Sequence, residues 1–146
     1  MTSGCPDVSA VADALTLPIA ADVDVVQART QGRALAEGAG FSTGDQTVIA
    51  AAISEIARNI LNYAKRGEIT LRVVPNGDHK GVEVIARDAG PGIPDIARAM
   101  QDGYSTSGGL GLGLPGARRL MDEFEVVSVV GQGTTVTMKK WRRITA

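Results

Sequence analysis

The chain has 146 residues, 44% hydrophobic and 21% charged, the balance of a soluble globular protein with material for one core. Its 15 basic and 16 acidic residues leave a net charge of −1, which excludes the basic surplus that nucleic-acid binding draws on. Cys5 is the only cysteine, which excludes an internal disulfide and a cysteine-based zinc cluster.

No apolar run is long enough to span a bilayer, and the N-terminus lacks the charged and apolar segments of a signal peptide. A cytoplasmic protein with no membrane partner is therefore expected. Met1–Ala14 is polar, rich in small residues and without a strong period, and reads as a loose tail before a domain running from Leu15 to Ala146. Leu15–Ile19 fits a short strand. Asp22–Gly38 reads as a helix carrying Val25, Val26, Arg29, Gly32, Arg33 and Leu35, with Gly38 and Gly40 suited to ending it.

The stretch Thr43–Ala64, TGDQTVIAAAISEIARNILNYA, opens with Thr43 and Gln46 at capping-box spacing. Ile49, Ile53, Ile56, Ile60 and Ala64 recur at three- and four-residue steps and define one apolar face. Glu55, Asn59 and Asn62 form a second stripe beside it. Residues four apart share a helix face, so Glu55 and Asn59 point the same way. A carboxylate and a carboxamide bordering an apolar face are either half-exposed surface or a site, and this helix alone does not decide.

Glu68–Val74 and Gly81–Asp88 alternate apolar and polar residues and read as two strands. The intervening Pro75–Lys80 holds Asn-Gly and reads as a hairpin turn; its His79, the only histidine, is expected in solvent. Ala89-Gly90-Pro91-Gly92 is a sharp turn, followed by a short helix near Pro94–Gln101. Pro115–Glu123 reads as a helix with proline in its first turn. Phe124–Val130 and Thr134–Trp141 complete the strands, and Lys139–Arg143, KKWRR, is the one basic cluster. Hairpin-linked strands with helices between them predict an α+β fold, a two-layer α/β sandwich whose mixed, mostly antiparallel sheet carries helices on one face.

Four pieces carry chemistry. Asp88-Ala-Gly90-Pro-Gly92 puts a carboxylate at a strand end, able to accept from an amino group such as that of adenine. Gly90 and Gly92 lack side chains, so a planar ring can approach the backbone; an ordinary Asp-Gly turn has the same composition. Ser105–Gly116, STSGGLGLGLPG, leads small and hydroxylic residues into a helix start, where free N–H groups and the helix dipole suit a phosphate. Gly131-Gln-Gly133-Thr134 joins two strands, and Thr134 can reach a ligand beside Asp88 if those strands are neighbours. Gly111, Gly113 and Gly116 also spell the dinucleotide fingerprint. That reading fails, because a loop rather than a strand precedes and no acidic residue follows Glu125. A G-x-x-x-x-G-K-[ST] phosphate loop is absent.

In order, E-x-x-x-N, D-x-G-x-G, G-x-G-x-G and G-x-G-T resemble the ATP-binding fold shared by gyrase, Hsp90, histidine kinases and MutL, the GHKL or Bergerat fold. The resemblance covers about Asp24 to Trp141. Within that fold SEIARNI, DAGPGIPDI, DGYSTSGGLGLGLPG and RLMDEF look like the RsbT-type serine/threonine switch kinases, relatives of the anti-sigma-factor kinases. The resemblance implies ATP and Mg²⁺, with Glu55 as general base and Asn59 as magnesium ligand. It implies that Asp88 and Thr134 read adenine, that Gly90 and Gly92 pack near the ring, and that Ser107, Gly108, Gly109, Leu110, Gly111, Leu112 and Gly113 wrap the phosphates. The implied partners are STAS-domain proteins (RsbS/RsbR-like), as substrates and sequestering partners, and a PP2C-type phosphatase or other output enzyme.

Overall fold

The computed structural model describes residues 14–77, 79–100 and 113–142. Their elements in order are β1 (Leu15–Ile19), α1 (Asp22–Gly38), α2 (Thr43–Tyr63), β2 (Gly67–Asn76), β3 (His79–Asp88), α3 (Ile96–Ala99), α4 (Gly113–Leu120), β4 (Glu123–Val129) and β5 (Gly133–Trp141). The strands form one sheet in the order β1-β2-β3-β5-β4, and all four pairings are antiparallel. This is the α+β arrangement that the hairpin signals predict, without a parallel pair among the described residues.

Residues of one parity along the strands face the helices. Ile19, Ile69, Leu71, Val82, Val84, Val136 and Met138 are buried there against Val25, Ala28 and Ala36 of α1 and Ile49, Ile53, Ile56 and Ile60 of α2. Each of the four isoleucines contributes roughly 1.5–3 kcal/mol by leaving water. α1 lies close on α2 because Gly32 faces Ile53, where a Cβ would overlap the isoleucine Cδ1. α4 packs on the same layer through Leu114, Ala117 and the following Met121. The opposite parity faces away from the helices and carries a charged row across four strands. There Arg72 pairs with Glu83, and Lys139 bridges Glu83 and Glu123 at 3.8 Å each.

Several element ends differ from the sequence reading. The cap of α2 is Ser42, whose hydroxyl accepts from Asp45 N–H at 3.1 Å, rather than Thr43. Gln46 instead turns its amide to the Phe41 carbonyl at 2.9 Å. The β2–β3 hairpin is tighter than Pro75–Lys80, since Asn76 pairs with His79 and Gly77, at φ 64°, opens the loop. α4 begins two residues before Pro115 and stops at Leu120. Beyond it Asp122 N–H already bonds the Lys139 carbonyl at 2.9 Å, so Glu123 belongs to the sheet.

Candidate functional site

Glu55 and Asn59 sit half-buried on the flank of α2, one turn apart, while Asn62 is exposed. The Glu55 side chain keeps 26% of its surface exposed, and its Oε1 lies 3.8 Å from Arg58 Nη1. That distance is too long for a hydrogen bond, and the Arg58 side chain is 56% exposed, so the pairing is weak. Glu55 therefore presents an open acceptor at the helix surface.

The sheet supplies the second part of the site. Gly67, Asp88, Thr134 and Ser128 stand opposite one another on β2, β3, β5 and β4, forming one row on the helix-facing side. Gly67 lets β2 lie close against this end of β3, because a Cβ there would overlap the Arg87 carbonyl oxygen and lie 3.0 Å from Ile60 and 3.2 Å from the Asp88 Cβ. Asp88 Oδ1 accepts from Gly90 N–H at 2.9 Å, which fixes the carboxylate across the following turn. Oδ2 is left as an acceptor, with the Thr134 hydroxyl one strand away. Thr134 is 6% exposed, and its Oγ1 lies 2.8 Å from Ser128 Oγ. An acceptor beside a hydroxyl fits the edge of an adenine ring, whose amino group donates next to a ring nitrogen that accepts.

The turn after Asp88 is held on both sides. A Cβ on Gly90 would lie 2.6 Å from the Ala64 Cβ at the end of α2. Gly92 has φ 79°, and a Cβ there would lie 2.6 Å from the Val129 carbonyl oxygen. The Pro91 carbonyl accepts from Gly131 N–H at 2.8 Å, and Ile93 N–H donates to Ser128 Oγ at 2.7 Å. Both glycines thus answer first to the chain's own packing, in keeping with the turn the sequence allows beside the reading as room for a ring. The same packing brings α2 to the site. Ala64 is about 7.5 Å along the helix axis from Asn59, and Glu55 is about 6 Å further on.

Ser107, Gly108, Gly109, Leu110, Gly111 and Leu112 lie outside the described residues; Gly113 opens α4. Among the described residues there is no group of three His, Cys, Asp or Glu side chains that could hold a metal. A magnesium ion would depend on Asn59, phosphate oxygens and water, a donor set ordinary for that ion. No described helix is long and apolar enough to cross a membrane.

Sequence reasoning named Asp88 and Thr134 but missed Ser128 and Gly67. The signal for Ser128 was there, since it breaks the inward apolar series Phe124, Val126 beside the Gly131–Thr134 turn.

Residues 44–143 match the family described as Histidine kinase-, DNA gyrase B-, and HSP90-like ATPase. The serine/threonine-protein kinase RsbT of Bacillus subtilis (strain 168) is 55% identical over 120 residues, covering 82% of this chain and 90% of the relative. An anti-sigma F factor of Thermoanaerobacter sp. (strain X514) is 37% identical over 99 residues, covering 64% of this chain and 68% of the relative. Among solved structures, the RsbU and RsbW domains of Rv1364c from Mycobacterium tuberculosis share the fold, with a TM-score of 0.57 at 23% identity, over 91% of this chain and 34% of that one.

The chain belongs to the histidine kinase-, DNA gyrase B- and HSP90-like ATPase family. Within it, the chain falls with the RsbT-type serine/threonine-protein kinases.

Proposed function

We propose that this kinase serves a partner-switching pathway, transferring the γ-phosphate of ATP to a serine or threonine of a STAS-domain antagonist. In this reading the antagonist sequesters the kinase until it is phosphorylated. The freed kinase then activates an output enzyme such as a PP2C-type phosphatase. The observation that carries the catalytic half is the open Glu55 carboxylate one turn from Asn59, on the helix whose end packs against the Asp88–Gly92 turn. A chain that only held nucleotide would need no general base at that position.

The reading assigns each residue a role. Asp88 Oδ2 and the Thr134 hydroxyl orient the adenine and so fix which way the phosphates run. The family resemblance assigns the phosphates to Ser107 to Gly113, of which only Gly113 is among the described residues. The Asn59 carbonyl oxygen would hold Mg²⁺, which supplies charge neutralisation to the transferring phosphoryl group. Glu55 takes the proton from the substrate hydroxyl as its oxygen attacks the γ-phosphorus and ADP leaves.

Labelled ATP and a purified STAS protein test the reading directly. Label on a serine or threonine of the STAS protein is the expected result, and its absence across the STAS proteins encoded nearby would overturn the assignment. The 37% identity to anti-sigma F factors supports a second reading, in which the chain chiefly sequesters a sigma factor. Pull-downs with sigma factor and with phosphatase as competing baits separate the two.

Asn59→Ala tests the metal assignment. The variant is expected to bind ADP without magnesium as the wild type does. It is expected to lose most of the gain in affinity that magnesium brings, roughly 10-fold or more, the scale of one charged-group contact. Nucleotide titration with and without Mg²⁺ reads this; an unchanged magnesium effect removes Asn59 as the ligand.

A further inference from the structure

Ser128 stands in the same cross-sheet row as Asp88 and Thr134, and its hydroxyl meets three groups at once. Ile93 N–H donates to it at 2.7 Å, Thr134 Oγ1 lies 2.8 Å away, and the Gly133 carbonyl lies 3.2 Å away. A serine hydroxyl has one proton and two lone pairs. The Ile93 amide can only donate, so it occupies one lone pair. The proton then goes either to the Gly133 carbonyl or to Thr134.

The two choices present different faces to a ligand. If Ser128 donates to Gly133, Thr134 spends its own proton on Ser128 and offers a ligand only lone pairs. If Ser128 donates to Thr134, the threonine proton is free to point outward. Asp88 Oδ2 is a fixed acceptor on the neighbouring strand. Adenine places a donor, its 6-amino group, beside an acceptor, N1, and so needs an acceptor and a donor side by side. Only the second arrangement supplies both. The 2.8 Å oxygen–oxygen distance fits a bond in either direction, so the choice rests on the 3.2 Å contact to Gly133, which is beyond the usual range for a hydroxyl donor.

We propose that Ser128 is a positioning residue for nucleotide recognition: its hydroxyl donates a hydrogen bond to Thr134, so that Thr134 donates to adenine N1 while Asp88 accepts from the 6-amino group. The same hydroxyl fastens the backbone of the glycine turn through Ile93, so one side chain sets the polarity of Thr134 and the position of the Asp88 turn together. This inference rests on the reading that Asp88 and Thr134 hold the adenine.

The test is a cycle of two proteins and two ligands, wild type and Ser128→Ala against ADP and 1-deaza-ADP, which keeps the 6-amino group but lacks N1. Calorimetry on the full chain reads the affinities. The wild type is expected to bind 1-deaza-ADP about fivefold more weakly than ADP, the scale of one net hydrogen bond. In Ser128→Ala the Thr134 hydroxyl keeps its proton but loses the donor that holds it turned outward, so the gap is expected to narrow to about twofold, and Ser128→Thr, which keeps the hydroxyl, is expected to restore it. If Ser128→Ala weakens both ligands by one common factor, or neither, Ser128 only supports the fold and the proposal is overturned. A wild type that binds both ligands alike removes the N1 contact and overturns it too. The adenine reading fails separately, if Asp88→Ala leaves ADP affinity unchanged.

Discussion

Glu55→Ala should bind ATP and ADP nearly as well as the wild type and transfer phosphate about 10²–10⁴-fold more slowly, the range a positioned general base supplies. The two effects separate because of where Glu55 sits. It is about 6 Å further along α2 than Asn59, on the side away from the Asp88 turn. The adenine and metal contacts assigned here come from the sheet row and from Asn59, so removing Glu55 leaves them in place. Its carboxylate has no hydrogen-bonded partner among the described residues, and its loss strands no buried group. The fold should therefore be intact, and a change in rate can be read as chemistry.

Glu55→Gln is the sharper form, because it keeps shape and polarity and removes only the proton-accepting charge. Arg58→Ala is the control. An ion pair at 3.8 Å with a 56% exposed arginine should contribute little, so transfer should change by about threefold or less. Single-turnover transfer to a STAS protein, with nucleotide affinity measured in parallel, reads all three variants. Transfer by Glu55→Gln at the wild-type rate would exclude Glu55 as the base.

How much of this could be read from the chain depends on the range of the interaction. β1 and α1 have the limits that local pattern assigns them, Leu15–Ile19 and Asp22–Gly38. The apolar face of α2 is also local information, written in the three- and four-residue steps from Ile49 to Ile60. Helix ends were less legible, because neighbouring hydroxyls compete to cap. Ser42 and Thr43 are both good caps, and only the path of the backbone from Phe41 selects Ser42. Register between strands is not local at all. That Asp88 faces Thr134, and Thr134 faces Ser128, follows from β5 lying between β3 and β4. Thr134 is a candidate from its Gly-x-Gly turn on the condition that its strand neighbours that of Asp88, which the register meets; Ser128 belongs to no motif and needs the register to be seen at all. The glycines of the Asp88 turn show the same limit. Their type was legible, but the atoms they make room for, Ala64 and Val129, come from distant parts of the chain.

Gly133→Ala should be the most damaging of the small substitutions at the site, and Gly131→Ala shows why. Both glycines have positive φ, 81° at Gly131 and 132° at Gly133, so alanine is strained at either. Backbone strain of this kind costs on the order of 1–3 kcal/mol. At Gly131 nothing lies within 4 Å of the added methyl, so the cost stops there. At Gly133 the methyl would overlap the Asp88 carbonyl oxygen and lie 2.9 Å from the Ala89 Cα. Those are backbone atoms and cannot rotate aside. Overpacking then adds roughly 1–3 kcal/mol more. In a chain of this size each kcal/mol is worth about 2–4 °C, so Gly133→Ala should melt on the order of 10 °C below the wild type and well below Gly131→Ala. The displaced atoms belong to the residue assigned to adenine, so ADP affinity should fall with stability. In Gly131→Ala it should hold. Thermal melts with and without saturating ADP measure both effects, because bound ligand raises the melting temperature only as far as the folded state still binds it. Equal melting temperatures for the two variants would mean that β5 can move off Asp88 at little cost, and that the row joining Asp88, Thr134 and Ser128 is looser than its register implies.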